Sequence, residues 1–140
     1  MKSGKILVVD DNKSALSALS MLLQFDCEKV KTLSNPNLII SELQQDDYDI
    51  VLLDMNFSAG ISNGNEGLFW LSEIKKLTPE TEVVMITAYG DIELAVKALK
   101  LGASEFIVKP WENEKLLATL NSVLKLRKSN RELEQLKKRE

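Results

Sequence analysis

The chain has 140 residues, 44% hydrophobic and 28% charged, with a formal net charge of −3 at pH 7. That length and balance suit one globular domain with a short appendage. The absence of histidine excludes Ser-His-Asp and Cys-His catalysis and histidine-ligated zinc, which leaves aspartates as the main chemical resource.

The opening, MKSGKILVVDD, turns acidic too early for a signal peptide, and no apolar run approaches bilayer length, so no membrane partner is expected. KILVV (5–9) reads as a first strand, followed at once by Asp10 and Asp11. A helix is predicted over about 14–24. Cys27, the sole cysteine, reads as a small buried hydrophobe in a reducing cytoplasm. KVKTL (29–33) is the second strand. Asn35 before Pro36 caps a helix over about 36–45. DIVLL (49–53) is a third strand, apolar on both faces, that runs into Asp54. A helix over 64–77 leads to EVVMI (82–86), followed by Thr87 and Ala88. Asp91 and Gly102 bracket a helix over 91–101. EFIV (105–108) precedes Lys109 and Pro110, and a last helix starts at about 113.

Strand and helix alternating five times predict an α/β fold, a doubly wound parallel sheet with helices on both faces. In such sheets functional residues collect at the carboxyl ends of the strands. Asp10, Asp11, Asp54, Thr87 and Lys109 are therefore expected at one edge. Three clustered aspartates repel one another unless a cation neutralises them, and an all-oxygen site suits Mg²⁺. With Lys109 added, the edge makes a pocket for a phosphate-like anion, and Asp54 is the best placed nucleophile for phosphoryl transfer.

VVDD (8–11), LLDM (52–55), ITAYGD (86–91) and FIVKP (106–110), in this order and spacing, resemble the receiver domain of two-component response regulators over roughly residues 4 to 124. The resemblance implies a flavodoxin-like sheet of order 2-1-3-4-5. It implies Asp54 as phosphoacceptor, Asp11 as a direct Mg²⁺ ligand, Asp10 helping through water, and the backbone carbonyl of Asn56 as a further ligand. Thr87 and Lys109 would bind phosphoryl oxygens, Thr87 and Phe106 would form the switch, and the bond before Pro110 would be cis. The partner implied is a sensor histidine kinase as phosphodonor, and the consequence is control of an attached output domain. KPWENEKLLATL (109–120) is similar to receivers of the nitrogen-regulatory class, which precede sigma-54-activating ATPase domains. The loop MNFSAGISNGNEG (55–67) departs from the family by its length and its lack of proline, which bears on kinase docking. Tyr89 could shield the phosphate or lie on the surface, and Trp70 and Trp111 read as packing residues.

Other classes fit less well. A Mg²⁺-dependent aspartyl-phosphate phosphohydrolase needs an Asp two residues past the nucleophile, and position 56 is Asn. An FMN carrier would meet repulsion between the cofactor phosphate and Asp10 and Asp11. A binding module that works without phosphorylation would not need the intact residue set.

From Glu112 to Glu140 there is no Gly or Pro, so a helix of roughly 40 Å is expected, longer than the domain edge. Leu116, Leu120 and Val123 form a stripe that can pack on the sheet. Leu126, Leu133 and Leu136 fall at a, a and d of a heptad frame, with Ser129 at the intervening d. The reading is a receiver domain over 1–124 and a helical linker over 125–140, towards an output domain absent from this chain. Homodimerisation is expected through this helix or the surface around strands four and five. Residues 125–140 carry +4 and residues 1–124 carry −7, so no direct nucleic-acid binding is expected.

Overall fold

Five strands alternate with five helices along the residues that the structure, a computed structural model, describes: 4–55, 65–88 and 91–139. The order is β1 (Lys5–Val9), α1 (Lys13–Leu23), β2 (Lys29–Leu33), a 3₁₀ turn (Pro36–Leu38) running into α2 (Ile39–Gln45), β3 (Ile50–Asp54), α3 (Asn65–Leu77), β4 (Glu82–Ala88), α4 (Ile92–Lys100), β5 (Glu105–Lys109) and α5 (Asn113–Arg139). All pairings are parallel and the sheet order is β2-β1-β3-β4-β5, the flavodoxin-like order expected.

Alternation along the strands divides the core into two layers, because successive side chains leave a strand on opposite faces. Leu7, Val9, Val51, Leu53, Val83 and Met85 pack with α2, α3 and α4 through residues such as Ile39, Leu43, Leu71, Ile74 and Ala98. Ile6, Val8, Ile50, Leu52, Val84 and Ile86 pack with α1 and α5 through Leu16, Leu19, Leu23, Leu116, Leu120 and Val123. Every residue of β3 is buried, as a central parallel strand requires. Cys27 is buried, and that burial, with Asp26 nearby, pushes its thiol up to about 11, consistent with an inert hydrophobe. Trp70 and Trp111 pack against the two layers.

Caps fall largely where the residue types direct them. The Asn35 side chain accepts from the Asn37 N–H at the 3₁₀ turn. Gly102 takes φ +114 past the end of α4, a conformation that glycine adopts without steric cost. Asp91 stands at the N-cap of α4 but makes no side-chain cap bond. β4 runs two residues further than its apolar run, because Thr87 and Ala88 still pair with Val108 and Lys109 of β5.

Candidate functional site

Strand register brings the expected residues to one edge. Val9 of β1 lies beside Leu53 of β3, and Asp54 lies beside Ile86, one residue before Thr87. Thr87 and Ala88 lie beside Val108 and Lys109. Asp10, Asp54, Thr87 and Lys109 thus emerge from four strands at the same end of the sheet.

The side chains converge. Asp10 is fully buried, and its Oδ2 accepts from Lys109 Nζ at 3.0 Å. The same ammonium lies 3.6 Å from Asp54 Oδ1, and the Asp54 residue is 5% exposed. Asp11 is exposed at the rim, and carboxylate oxygens of Asp10, Asp11 and Asp54 lie within 4.8 Å of one another. Burial, joined by the charge of Asp10, raises the Asp11 pKa above the ordinary carboxylate range. Burial works against the Lys109 ammonium, but Asp54 and Asp10 prevail and hold its pKa above the ordinary lysine value. Three carboxylates around one ammonium leave negative charge in excess. A hard divalent cation, which prefers oxygen donors, fits this donor set.

Thr87 is buried, and its hydroxyl donates to the Ala88 carbonyl at a long 3.5 Å, so a better acceptor would win it readily. Phe106 is half-buried against the layer that holds α4. The Lys109–Pro110 bond is cis. Asn56 and Tyr89 lie outside the described residues, as does most of the long loop.

Local chemistry separates this cluster from helix capping. The N-cap of α1 is Asn12, whose side chain accepts from the Ser14 and Ala15 N–H groups at 2.9 and 3.1 Å. Asp10 is not the cap: its Oδ1 accepts from the Asn12 N–H at 2.9 Å, which fixes the carboxylate while its other oxygen faces Lys109. Gly67 on α3 also bears on the site. Its N–H donates to the Met55 carbonyl at 3.2 Å, and a Cβ there would stand 2.6 Å from Met55 Cα. That close approach holds α3 against the residue that follows Asp54. Gly67 falls in both the loop 55–67 and the helix expected over 64–77, and nothing in the sequence marks its contact with Met55; for Asn12, the position just before a helical run is the available signal.

A doubly wound sheet in this order, with an aspartate cluster and a lysine at its carboxyl edge, has the architecture of a receiver in two-component signalling. The response regulator receiver domain family model matches residues 6–121, and the chain belongs to that family. It is 34% identical over 119 residues to the transcriptional regulatory protein ZraR of Escherichia coli, covering 85% of this chain and 26% of ZraR. Among solved structures, NtrX from Brucella abortus in complex with ADP superposes with a TM-score of 0.88 at 32% identity, covering 99% of this chain and 30% of that one. The N-terminal signal receiver domain of a Bacteroides fragilis response regulator superposes at 0.78 with 49% identity, covering 86% of this chain and 95% of that one. The chain thus spans about a quarter of the length of ZraR and is a receiver domain of the response regulator type. Among the described residues, no helix is long and apolar enough to cross a membrane.

Proposed function

We propose that the chain is a phosphorylation-controlled switch in which Asp54 accepts a phosphoryl group from a sensor histidine kinase. The observation that carries this reading is the nearly buried Asp54 carboxylate beside Lys109 Nζ, within reach of two further carboxylates. An Asp54 carboxylate oxygen attacks phosphorus in line, the bond from phosphorus to the donor's leaving atom breaks (the imidazole nitrogen of a phosphohistidine, or the acetate oxygen of acetyl phosphate), and an acyl phosphate results. Water later attacks that phosphorus, releasing phosphate and restoring the carboxylate, so the only enzymatic acts are self-phosphorylation and self-dephosphorylation. Lys109 and the Thr87 hydroxyl hold the phosphoryl oxygens. Asp10, Asp11 and Asp54, with the Asn56 backbone carbonyl, would hold Mg²⁺. When bound, the ion supplies charge neutralisation for carboxylates and phosphoryl oxygens.

Transmission runs through Thr87. Its weakly held hydroxyl turns towards the phosphate and Phe106 fills the space vacated, which alters the surface around β4 and β5. The coupling is steric, and it shifts the equilibrium only as far as the phosphate's differential affinity for the two states allows.

Residues 1–124 form the receiver and 125–140 a helical linker to an output domain, in the cytoplasm. The match to NtrX across 99% of this chain supports a linker helix of this length, and the similarity to ZraR supports a transcriptional output, in keeping with the resemblance to the nitrogen-regulatory class. The exposed Leu126, Leu133 and Leu136 support homodimerisation through α5, which phosphorylation would rearrange.

Incubation with acetyl phosphate and Mg²⁺, followed by intact mass, tests the chemistry. A gain of one phosphoryl group that EDTA prevents is expected. No gain with Mg²⁺ present would refute the reading.

A further inference from the structure

The sheet edge opposite the aspartates holds a second constellation, which the phosphorylation chemistry does not use. Arg127 lies on α5 one turn past Val123 and is 4% exposed, a burial rare for arginine unless it is paired. Its Nε donates to Asp49 Oδ1 at 2.6 Å, and its Nη1 donates to the Glu80 carbonyl. Asp49 stands just before β3. Its Oδ2 accepts from the Lys5 N–H at 2.8 Å where β1 begins, and its carbonyl accepts from the Glu82 N–H at 3.0 Å where β4 begins. One guanidinium therefore ties α5 to the entry points of three strands. The Asp49 pKa lies below the ordinary carboxylate range: burial acts to raise it, but Arg127, the Lys5 N–H and the charge of Arg131 outweigh that.

Arg127 is also the last buried residue of the helix among the described side chains, since those of residues 128–137 are all exposed. Leu116, Leu120 and Val123 hold the helix on the sheet by apolar contact, which is non-directional. A planar guanidinium set on a carboxylate and a carbonyl restricts rotation and sliding as well.

We infer that Arg127 and Asp49 form a clasp that makes α5 one rigid body with the sheet as far as residue 127 and so sets the direction in which the helix leaves the domain. Arg127 is a positioning residue for whatever follows. Its action requires neither phosphate nor a second copy of the chain.

Amide hydrogen exchange of the full chain tests this, in a Leu133→Glu/Leu136→Glu background that removes the apolar face a second copy could cover. Arg127→Ala and Asp49→Asn should each speed exchange of the amides from 121 to 131 on the order of tenfold, leaving those of β3, β4 and β1 beyond Lys5 near the parental rate. Arg127→Lys, a point charge without the fork, should fall between. Acetyl phosphate labelling should remain at the parental level in all three, so loss of the clasp and failure of the phosphorylation reading are separable. Helix exchange at the parental rate would overturn the clasp. So would exchange that rises equally in the strands and the helix, because the pair would then serve general stability.

Discussion

The two edges of the sheet are built from the same kinds of charge and balanced in opposite ways. At the carboxyl edge Asp10, Asp11 and Asp54 surround Lys109. At the amino edge Asp46 pairs with Lys5 and Lys29, and Asp49 pairs with Arg127. Two carboxylates there meet three cations, and burial is matched by directed hydrogen bonds. The carboxyl edge keeps an excess of negative charge that its own residues do not cancel. Such an excess costs stability, and it suits an edge that takes up a cation and an anion in turn. At the amino edge each of these carboxylates is paired within the protein, which fits a structural joint.

Removing Lys109, the cation held between Asp10 and Asp54, should have the largest effect. Lys109→Met leaves Asp10 and Asp54 buried without their ammonium, and apo stability should fall by roughly 2–3 kcal/mol in urea melts. Added Mg²⁺ should restore part of it; a loss unmoved by the ion would mean that the edge does not gather cations. Gly67→Ala should cost about 1–2 kcal/mol, because its Cβ would press on the Met55 backbone. Wild-type melts for that variant would show that α3 is not clamped to the site.

Asp11→Asn sharpens the contrast, since it should weaken Mg²⁺ binding on the order of tenfold yet stabilise the apo protein slightly. Because the folded pKa of Asp11 is raised, its charge is unfavourable above that pKa. The penalty fades as pH falls through it towards the ordinary carboxylate range, so the advantage of the variant should shrink on acidification. An advantage constant with pH would contradict the charge excess.

Asp46 should give the smallest effect, of opposite sign. Its hydrogen bonds from Lys29, then Lys5, lower its pKa to about 2. Its contribution is therefore present above the ordinary carboxylate range and lost as pH falls towards 2. Asp46→Asn should be less stable than wild type at neutral pH and equal to it near the acid limit, as thermal melts across pH would read.

The carboxyl edge was largely legible in the sequence, while the amino edge was not. Apolar runs that end in Asp10, Asp54, Thr87 and Lys109 mark strand ends by composition, and the parallel topology then brings those ends together. The linear pattern also gave the strands to within a residue or two. Arg127 carried no such mark: in sequence it is one of seven basic residues after position 124, and only the fold sets Asp49 and the Glu80 carbonyl opposite it. Gly67 was hidden for a similar reason, because its close approach to Met55 joins a helix to a strand end. Asp91 shows the reverse failure, standing at the cap position without forming the cap bond.

Phosphorylation separates the two edges most directly. Wild type, Asp49→Asn and Asp54→Asn would be incubated with Mg²⁺ and acetyl phosphate and compared by intact mass. Wild type and Asp49→Asn should each gain one phosphoryl group, and Asp54→Asn should gain none while keeping its fold by circular dichroism. An Asp54→Asn protein labelled as fully as wild type would contradict the assignment of Asp54.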